Sequence, residues 1–295
     1  MPNRYILFQA YGNPEILLEC RFALMQLLQQ DGYDTICVVL YTDNPSYFKN
    51  ELTLFTNVII KEVTDVQITE WRGKINFVHR VKIKILEDFF SNHAGSVLYC
   101  DTDTYCLKPI TPLFDDIDKG ILYMHSNEGC IKGNRNRIMK KWYQFLTSNE
   151  TKAIADFSTN IDTITMWNAG VIGMHSQNAP MLKEVLSITD TLYPIFPRHT
   201  VEQFAFSYLF QKNATLLPAD PFIFHYWNLK EYRLWLSNFY AVNSKLSVAM
   251  QAKKIDVLMP KKILHDKMIY KKTFFLKKLF IRKWAITNYL QEFKK

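Results

Sequence analysis

Residues 96–103, SVLYCDTD, join a run that reads as a buried strand to two aspartates one residue apart. Ser96–Cys100 is apolar without polar alternation, as a parallel strand covered on both sides should be. Asp101 and Asp103 then leave its carboxyl end, where open α/β sheets bind their ligands. Two carboxylates so placed can converge on a hard divalent cation and leave coordination positions open for phosphate oxygens. The reading of this stretch decides the fold, provided that its neighbours alternate between strand and helix.

They do. Upstream, Arg4–Ala10 (RYILFQA) reads as a first strand, broken by Tyr11-Gly12-Asn13-Pro14. Asn13 can cap the following helix, with Pro14 in its first turn. That helix places Leu17, Cys20, Leu24, Leu27 and Leu28 on one face and stops at Asp31-Gly32. Thr35–Tyr41 and Val58–Val63 read as further strands, and a helix is predicted from Lys74 to Asn92. On that helix Val78, Val81, Ile85 and Phe89 form the apolar face. Lys82 projects near its middle, while Arg80 and Lys84 face solvent. An inward lysine costs free energy unless paired, so Lys82 is expected to contact the metal aspartates or the ligand.

Downstream the pattern continues. A short helix is expected at Pro112–Asp118, a strand at Ile121–His125, a helix at Arg135–Thr147 and a strand at Gly170–His175. Helices at Ala179–Leu192 and Val201–Phe210 and a strand at Ala214–Leu217 follow. The fold class is therefore α/β, a mostly parallel sheet flanked by helices. From about Asn228 the chain reads as helices.

Composition narrows the class. The 295 residues are 48% hydrophobic, with only 9 Gly and 11 Pro, as a globular chain with a real core requires. No run is long and apolar enough to span a membrane, and Met1–Ala10 lacks the apolar length of a signal peptide. A soluble, cytoplasmic protein is expected. The five cysteines show no CxxC pairing and read as reduced, small hydrophobes. The net charge of +8 belongs to the tail: Lys245–Lys295 holds fourteen Lys or Arg against three acids, which leaves the rest slightly acidic. A core that binds nucleic acid is not indicated.

Four elements in order carry a family resemblance: KIKIL (Lys82–Leu86) before VLYCDTD (Val97–Asp103), NAGVIGMH (Asn168–His175), Glu202-Gln203 in TVEQFAF, and a late histidine, His225 in IFHYW. In these the chain resembles GT-A glycosyltransferases (nucleotide-diphospho-sugar transferases, Rossmann-like). Within them it is similar to the retaining group of lipopolysaccharide galactosyl- and glucosyltransferases and glycogenin, and to the DxD mannosyltransferases. The resemblance covers roughly residues 4–228. It departs from the pattern in two places: the glycine and lysine that usually follow the late histidine are missing, as HYW runs straight into NLKEY, and the acid–Gln pair is Glu-Gln rather than Asp-Gln.

The resemblance implies a GT-A catalytic domain over residues 1–230, with a basic helical C-terminal extension over 231–295. It implies that a hexose moves from a nucleotide diphosphate sugar, a UDP-sugar by the same likeness, to a glycan or lipid-linked acceptor with retention of configuration. It assigns Mn²⁺ or Mg²⁺ to Asp101, Asp103 and His225; a histidine beside two carboxylates suits Mn²⁺. Ala10, Tyr11 and Gly12 would surround base and ribose, and Lys82 and Asp101 would meet the donor. Asn168, Ala169 and Gly170 would line the sugar pocket, with Glu202 and Gln203 on the β-face of the sugar.

Two other readings compete. A phosphatase of the haloacid dehalogenase type also carries DxD at a strand end, but on its first strand. A non-catalytic nucleotide-sugar-binding protein of the same fold would have lost its site, yet the aspartates are intact. In the tail, Lys261–Arg282 alternates lysine pairs with Tyr270, Phe274, Phe275, Leu279 and Phe280, and Leu276, Leu279, Phe280 and Trp284 have helical spacing. Such a segment either docks peripherally on an anionic membrane at the inner face or packs on the catalytic domain with a solvated lysine face.

Overall fold

Arg4–Ala10 forms strand β1, with Tyr5 to Phe8 and Ala10 buried, as the run RYILFQA predicts. The computed structural model describes residues 3–148, 161–255, 260–278 and 281–294. Strands β2 (Cys37–Thr42), β3 (Val58–Glu62) and β4 (Ser96–Cys100) follow, separated by helices. The next are β5 (Thr104–Cys106), β6 (Leu122–Met124), β7 (Asn127–Cys130) and β8 (Thr165–Trp167), then β9 (Val171–His175), β10 (Leu216–Pro218) and β11 (Ile223–His225). Seven of them make one mixed sheet of order β10-β6-β9-β4-β1-β2-β3; β11-β5 and β7-β8 are separate two-stranded pairs. The α/β class and the flanking helices are as expected.

Several expectations need correction. Strand β9 runs antiparallel to both β4 and β6, so it interrupts the parallel order. The second strand starts at Cys37 rather than Thr35, because Tyr33–Thr35 turns as a 3₁₀ helix after Gly32, whose φ is 78°. The helix expected from Lys74 begins at Arg80, and a separate helix, Asp65–Arg72, precedes it. Gly73 and Asn76 both have positive φ, which ends the first helix and keeps the second from starting early. Val78 therefore lies outside the helix and is 49% exposed, while Val81, Ile83, Ile85, Leu86 and Phe89 are buried. Arg80 does not face solvent freely: its guanidinium grips Asp190 with bonds of 2.7 and 3.0 Å and donates to the Trp71 carbonyl.

The chain divides into two compact units. The first comprises Met1–Leu7, Val63–Cys100 and Thr111–Asp220. In it, the Arg80–Asn92 helix packs on Met181–Leu192, which packs on Val201–Asn213. Trp142 stacks on Phe204 at 4.4 Å in its core and donates its indole N–H to Thr200.

Gly95 opens β4 in this unit with φ of +128°, and a Cβ there would stand 2.2 Å from the Asn3 carbonyl oxygen. Ser96 N–H donates to that same oxygen at 2.7 Å, so the backbone cannot easily withdraw. Gly95→Ala is expected to destabilise by about 2–4 kcal/mol, from backbone strain plus overlap. A urea midpoint within error of the parent would refute this.

The second unit comprises Phe8–Glu62, Asp101–Ile110 and Pro221–Lys295. The Pro14–Leu27 helix, capped by Asn13, shares a core with the Tyr232–Val242 helix through Phe22, Met25, Tyr232, Trp235 and Leu236. The tail helix Pro260–Lys272 adds Ile263 to this core, and Ile286 joins further on. Leu279, Phe280 and the side chains of Phe275 and Leu276 lie outside the described residues. All five cysteines are free, four of them buried, as expected. No helix among the described residues is long and apolar enough to cross a membrane.

Candidate metal and ligand site

Asp101 and Asp103 follow β4 directly, and the short β5–β11 ladder fixes what they meet. His225 pairs with Thr104 in that antiparallel register. Tyr226 N–H donates to the Asp103 carbonyl at 2.9 Å, and the Thr104 hydroxyl donates to the Asp101 carbonyl at 2.7 Å. Tyr105, wedged among Phe22, Phe224 and Tyr226, anchors the turn in the aromatic core. The ladder thus holds the imidazole of His225 3.0 Å from Asp103 Oδ1 and 3.9 Å from Asp101 Oδ2.

One ligand atom from each of Asp101, Asp103 and His225 lies within 4.8 Å of the others. Two hard oxygens and an imidazole nitrogen are a donor set that suits a divalent cation, and three protein ligands leave coordination positions open. Burial works to raise the pKa of Asp103, but His225 and Lys230 outweigh it and hold its carboxyl well below the usual range. The group is a carboxylate at any physiological pH.

Lys230 is the residue that the sequence reading missed here. Its ammonium lies 3.1 Å from Asp103 Oδ2, and its side chain is 57% exposed. It stands five residues after His225, on a turn where Leu229 N–H donates to the Tyr226 carbonyl. Beyond it, Arg233 clamps the buried Glu19 with bonds of 2.9 and 3.0 Å and also reaches Glu15. Burial pushes the Glu19 carboxyl up despite that clamp.

At the end of β1, Gly12 has φ of 79° and donates its N–H to Asp43 at 2.7 Å. A residue with a side chain would be strained there. Ala10 is fully buried, while Tyr11 is half-buried and Gly12 is exposed. Asp43, at the end of β2, is a second acid that sequence reasoning did not single out.

The first unit assembles the remaining candidates. Lys82 is 3% exposed, donates to the Ala169 carbonyl at 2.8 Å and pairs with Glu202 at 3.1 Å. Its ammonium also lies 5.1 Å from the centre of the Tyr99 ring. The inward lysine is paired, as its burial demands, and most of it is used within the protein. Asn168 turns its amide oxygen to Gly170 N–H at 3.0 Å, which shapes the Asn168–Gly170 corner.

Glu128, on β7, was not foreseen. It is exposed, and its two oxygens accept from Gln203 at 2.9 Å and from Asn168 at 3.4 Å. It therefore links two of the residues expected at the sugar pocket. Nothing in the local sequence NEGC marks it, since both partners are distant in the chain.

No protein-family model matches the chain, and no curated protein matches it in sequence. Solved structures do match. The glycosyltransferase GlyE of Streptococcus pneumoniae TIGR4 superposes with a TM-score of 0.52 at 12% identity, over 86% of this chain and 63% of GlyE. Its apo form gives 0.51 at 14% identity over the same shares. A Gln-to-Glu active-site mutant of LgtC gives 0.50 at 15% identity, over 73% of each chain. The chain thus spans less than two thirds of GlyE. At such identities the likeness is one of fold, and the fold is GT-A.

Proposed function

We propose that the chain is a glycosyltransferase that moves a hexose from a nucleoside diphosphate sugar to a hydroxyl of a glycan or lipid-linked acceptor. The observation that carries this reading is the Asp101–Asp103–His225 cluster at the end of β4 of a GT-A fold. The phosphatase alternative needs its nucleophilic aspartate on a first strand, and here the pair follows the fourth.

In the reaction, the bond between the sugar C1 and the diphosphate oxygen breaks and a bond from C1 to the acceptor oxygen forms. The acceptor's proton passes to the departing phosphate, and nucleoside diphosphate is released. Asp101, Asp103 and His225 would hold a divalent cation, Mn²⁺ or Mg²⁺, which would supply positive charge against the diphosphate. Lys230, whose side chain is half in solvent, adds a cation beside Asp103. Tyr11 and Gly12 take the base and ribose, uridine by resemblance. Asn168, Ala169 and Gly170 line the sugar, and Glu202 and Gln203 stand on its β-face; Lys82 positions Ala169 and Glu202 from beneath. Retention of configuration is part of this proposal.

Glu128 acts here as a positioning residue for Asn168 and Gln203. Glu128→Ala is expected to lower kcat/KM by about 10–100-fold through loosened geometry, with a melting temperature close to the parent's because the side chain is exposed. A variant as fast as the parent would remove Glu128 from the site.

The deciding experiment is a thermal shift with UDP and GDP, each with and without Mn²⁺. A ligand that binds only the folded state at about a hundred times its Kd raises the melting temperature by about 5 °C. A rise requiring both UDP and Mn²⁺ supports the proposal and its base. No rise with either nucleotide would overturn it.

A further inference from the structure

The arc Tyr226–Lys230 begins and ends at one residue of the metal cluster. At its start Tyr226 N–H donates to the Asp103 carbonyl, and at its end the Lys230 ammonium meets Asp103 Oδ2 at 3.1 Å. Between them Trp227 is 53% exposed, and Asn228 beside it is exposed as well. Of the six tryptophans in the chain, Trp227 is the one more than half exposed.

The backbone on both sides of that indole is fixed. Tyr226 is buried in the aromatic core with Phe22 and Tyr232, and Leu229 N–H closes the turn on the Tyr226 carbonyl at 2.8 Å. The Asn228 carbonyl accepts from the buried Lys267 at 3.1 Å. Two peptide steps keep the Cα of Trp227 within about 8 Å of that of His225. Side-chain alternation sends Phe224 and Tyr226 into the aromatic core, which leaves Trp227 on the side of His225.

A single exposed apolar residue is common. An indole held at the rim of a metal cluster, with an exposed amide beside it, is a more specific arrangement. The two groups fit a pyranose, whose C–H face is apolar and whose edge carries hydroxyls. An acyl chain has no use for the amide, and an ion has none for the indole. The base and ribose are assigned elsewhere, to Tyr11 and Gly12. The family likeness does not supply this group either, since Trp227 stands where HYW departs from the pattern. We propose that Trp227 is a stacking platform for the acceptor, and that the acceptor is a carbohydrate recognised by a pyranose ring, with Asn228 donating to one of its hydroxyls. The inference rests on the transferase reading and narrows its acceptor to one held by its sugar.

The test titrates the protein, saturated with UDP and Mn²⁺, with the methyl pyranosides of glucose, galactose, mannose and N-acetylglucosamine, and reads tryptophan emission. At least one should move the emission to shorter wavelength with millimolar half-saturation, and the change should vanish in Trp227→Phe. Glycerol, which has hydroxyls but no ring face, should give none. Trp227→Ala should raise the KM at which that pyranoside stimulates UDP release from a UDP-hexose by about 10–100-fold, through lost burial and stacking. Trp227→Phe should fall between. Both variants should melt as the parent does, because the side chain is exposed, and both should keep its thermal shift with UDP and Mn²⁺. An emission unchanged by all four pyranosides would overturn the proposal. So would loss of the UDP–Mn²⁺ shift in Trp227→Ala, which would assign the indole to the donor. Absence of that shift in the parent is the separate result that would overturn the transferase reading, and the acceptor role with it.

Discussion

Asp103→Asn is expected to leave the fold standing and to remove about 10²–10³-fold of the transfer rate, the usual scale for losing one element of charge stabilisation. The substitution keeps shape and volume and changes only charge and one acceptor. Asp103 is 8% exposed, and both its oxygens are engaged, one by His225 and one by Lys230. Because those partners hold its carboxyl far below neutral pH, the parent carries a full negative charge that the amide lacks. Folding should barely register this. Lys230 is 57% exposed and is solvated when released, so the stability lost is that of a half-exposed pair, about 1 kcal/mol or less. Release of UDP from whichever UDP-hexose gives a thermal shift is the measurement. The shift that needs both UDP and Mn²⁺ should vanish in the variant while the ligand-free melting temperature holds. Activity within tenfold of the parent would mean that Asp103 does not serve the metal.

How much of this could be read beforehand depends on the range of the interaction. Ser96–Cys100 was legible because all five residues are buried, and an unbroken apolar run ending in DTD leaves few alternatives. Val171–His175 was legible as a strand, yet its antiparallel course was not, since side-chain alternation carries no direction. The early start assigned to the Arg80–Asn92 helix came from treating Val78 as part of its apolar face. The positive φ of Gly73 and Asn76 decides otherwise, and an asparagine rarely announces that conformation. Strands β5 and β11 have three residues each, too few for a period to show, yet they bring His225 to Asp103. Lys230 and Glu128 were invisible for a related reason: their partners lie 127, 40 and 75 residues away. Lys82 was the exception, because an inward charge on an apolar helix face demands a partner whatever the fold.

That partner makes Lys82→Met the largest stability effect expected in the molecule. The Lys82 and Glu202 side chains are 4% and 3% exposed, so removing the ammonium strands a buried carboxylate, at about 3–5 kcal/mol. The Ala169 carbonyl loses its donor as well. Glu202→Leu should cost a similar amount by stranding the lysine. The double variant removes both charges and fills the space with apolar groups, which is often close to neutral. Its loss should therefore fall well short of the sum, with a coupling of about 2 kcal/mol or more in urea melts. Losses that add within about 0.5 kcal/mol would show that the pair is not coupled. Activity then separates a structural from a positioning role. If the pair serves only stability, the double variant should transfer sugar nearly as fast as the parent. If the pair serves the reaction as proposed, the double variant should regain its fold and stay slow, with kcat lowered about 10²-fold, because it lacks both Glu202 beside the sugar and the ammonium that holds the Ala169 carbonyl.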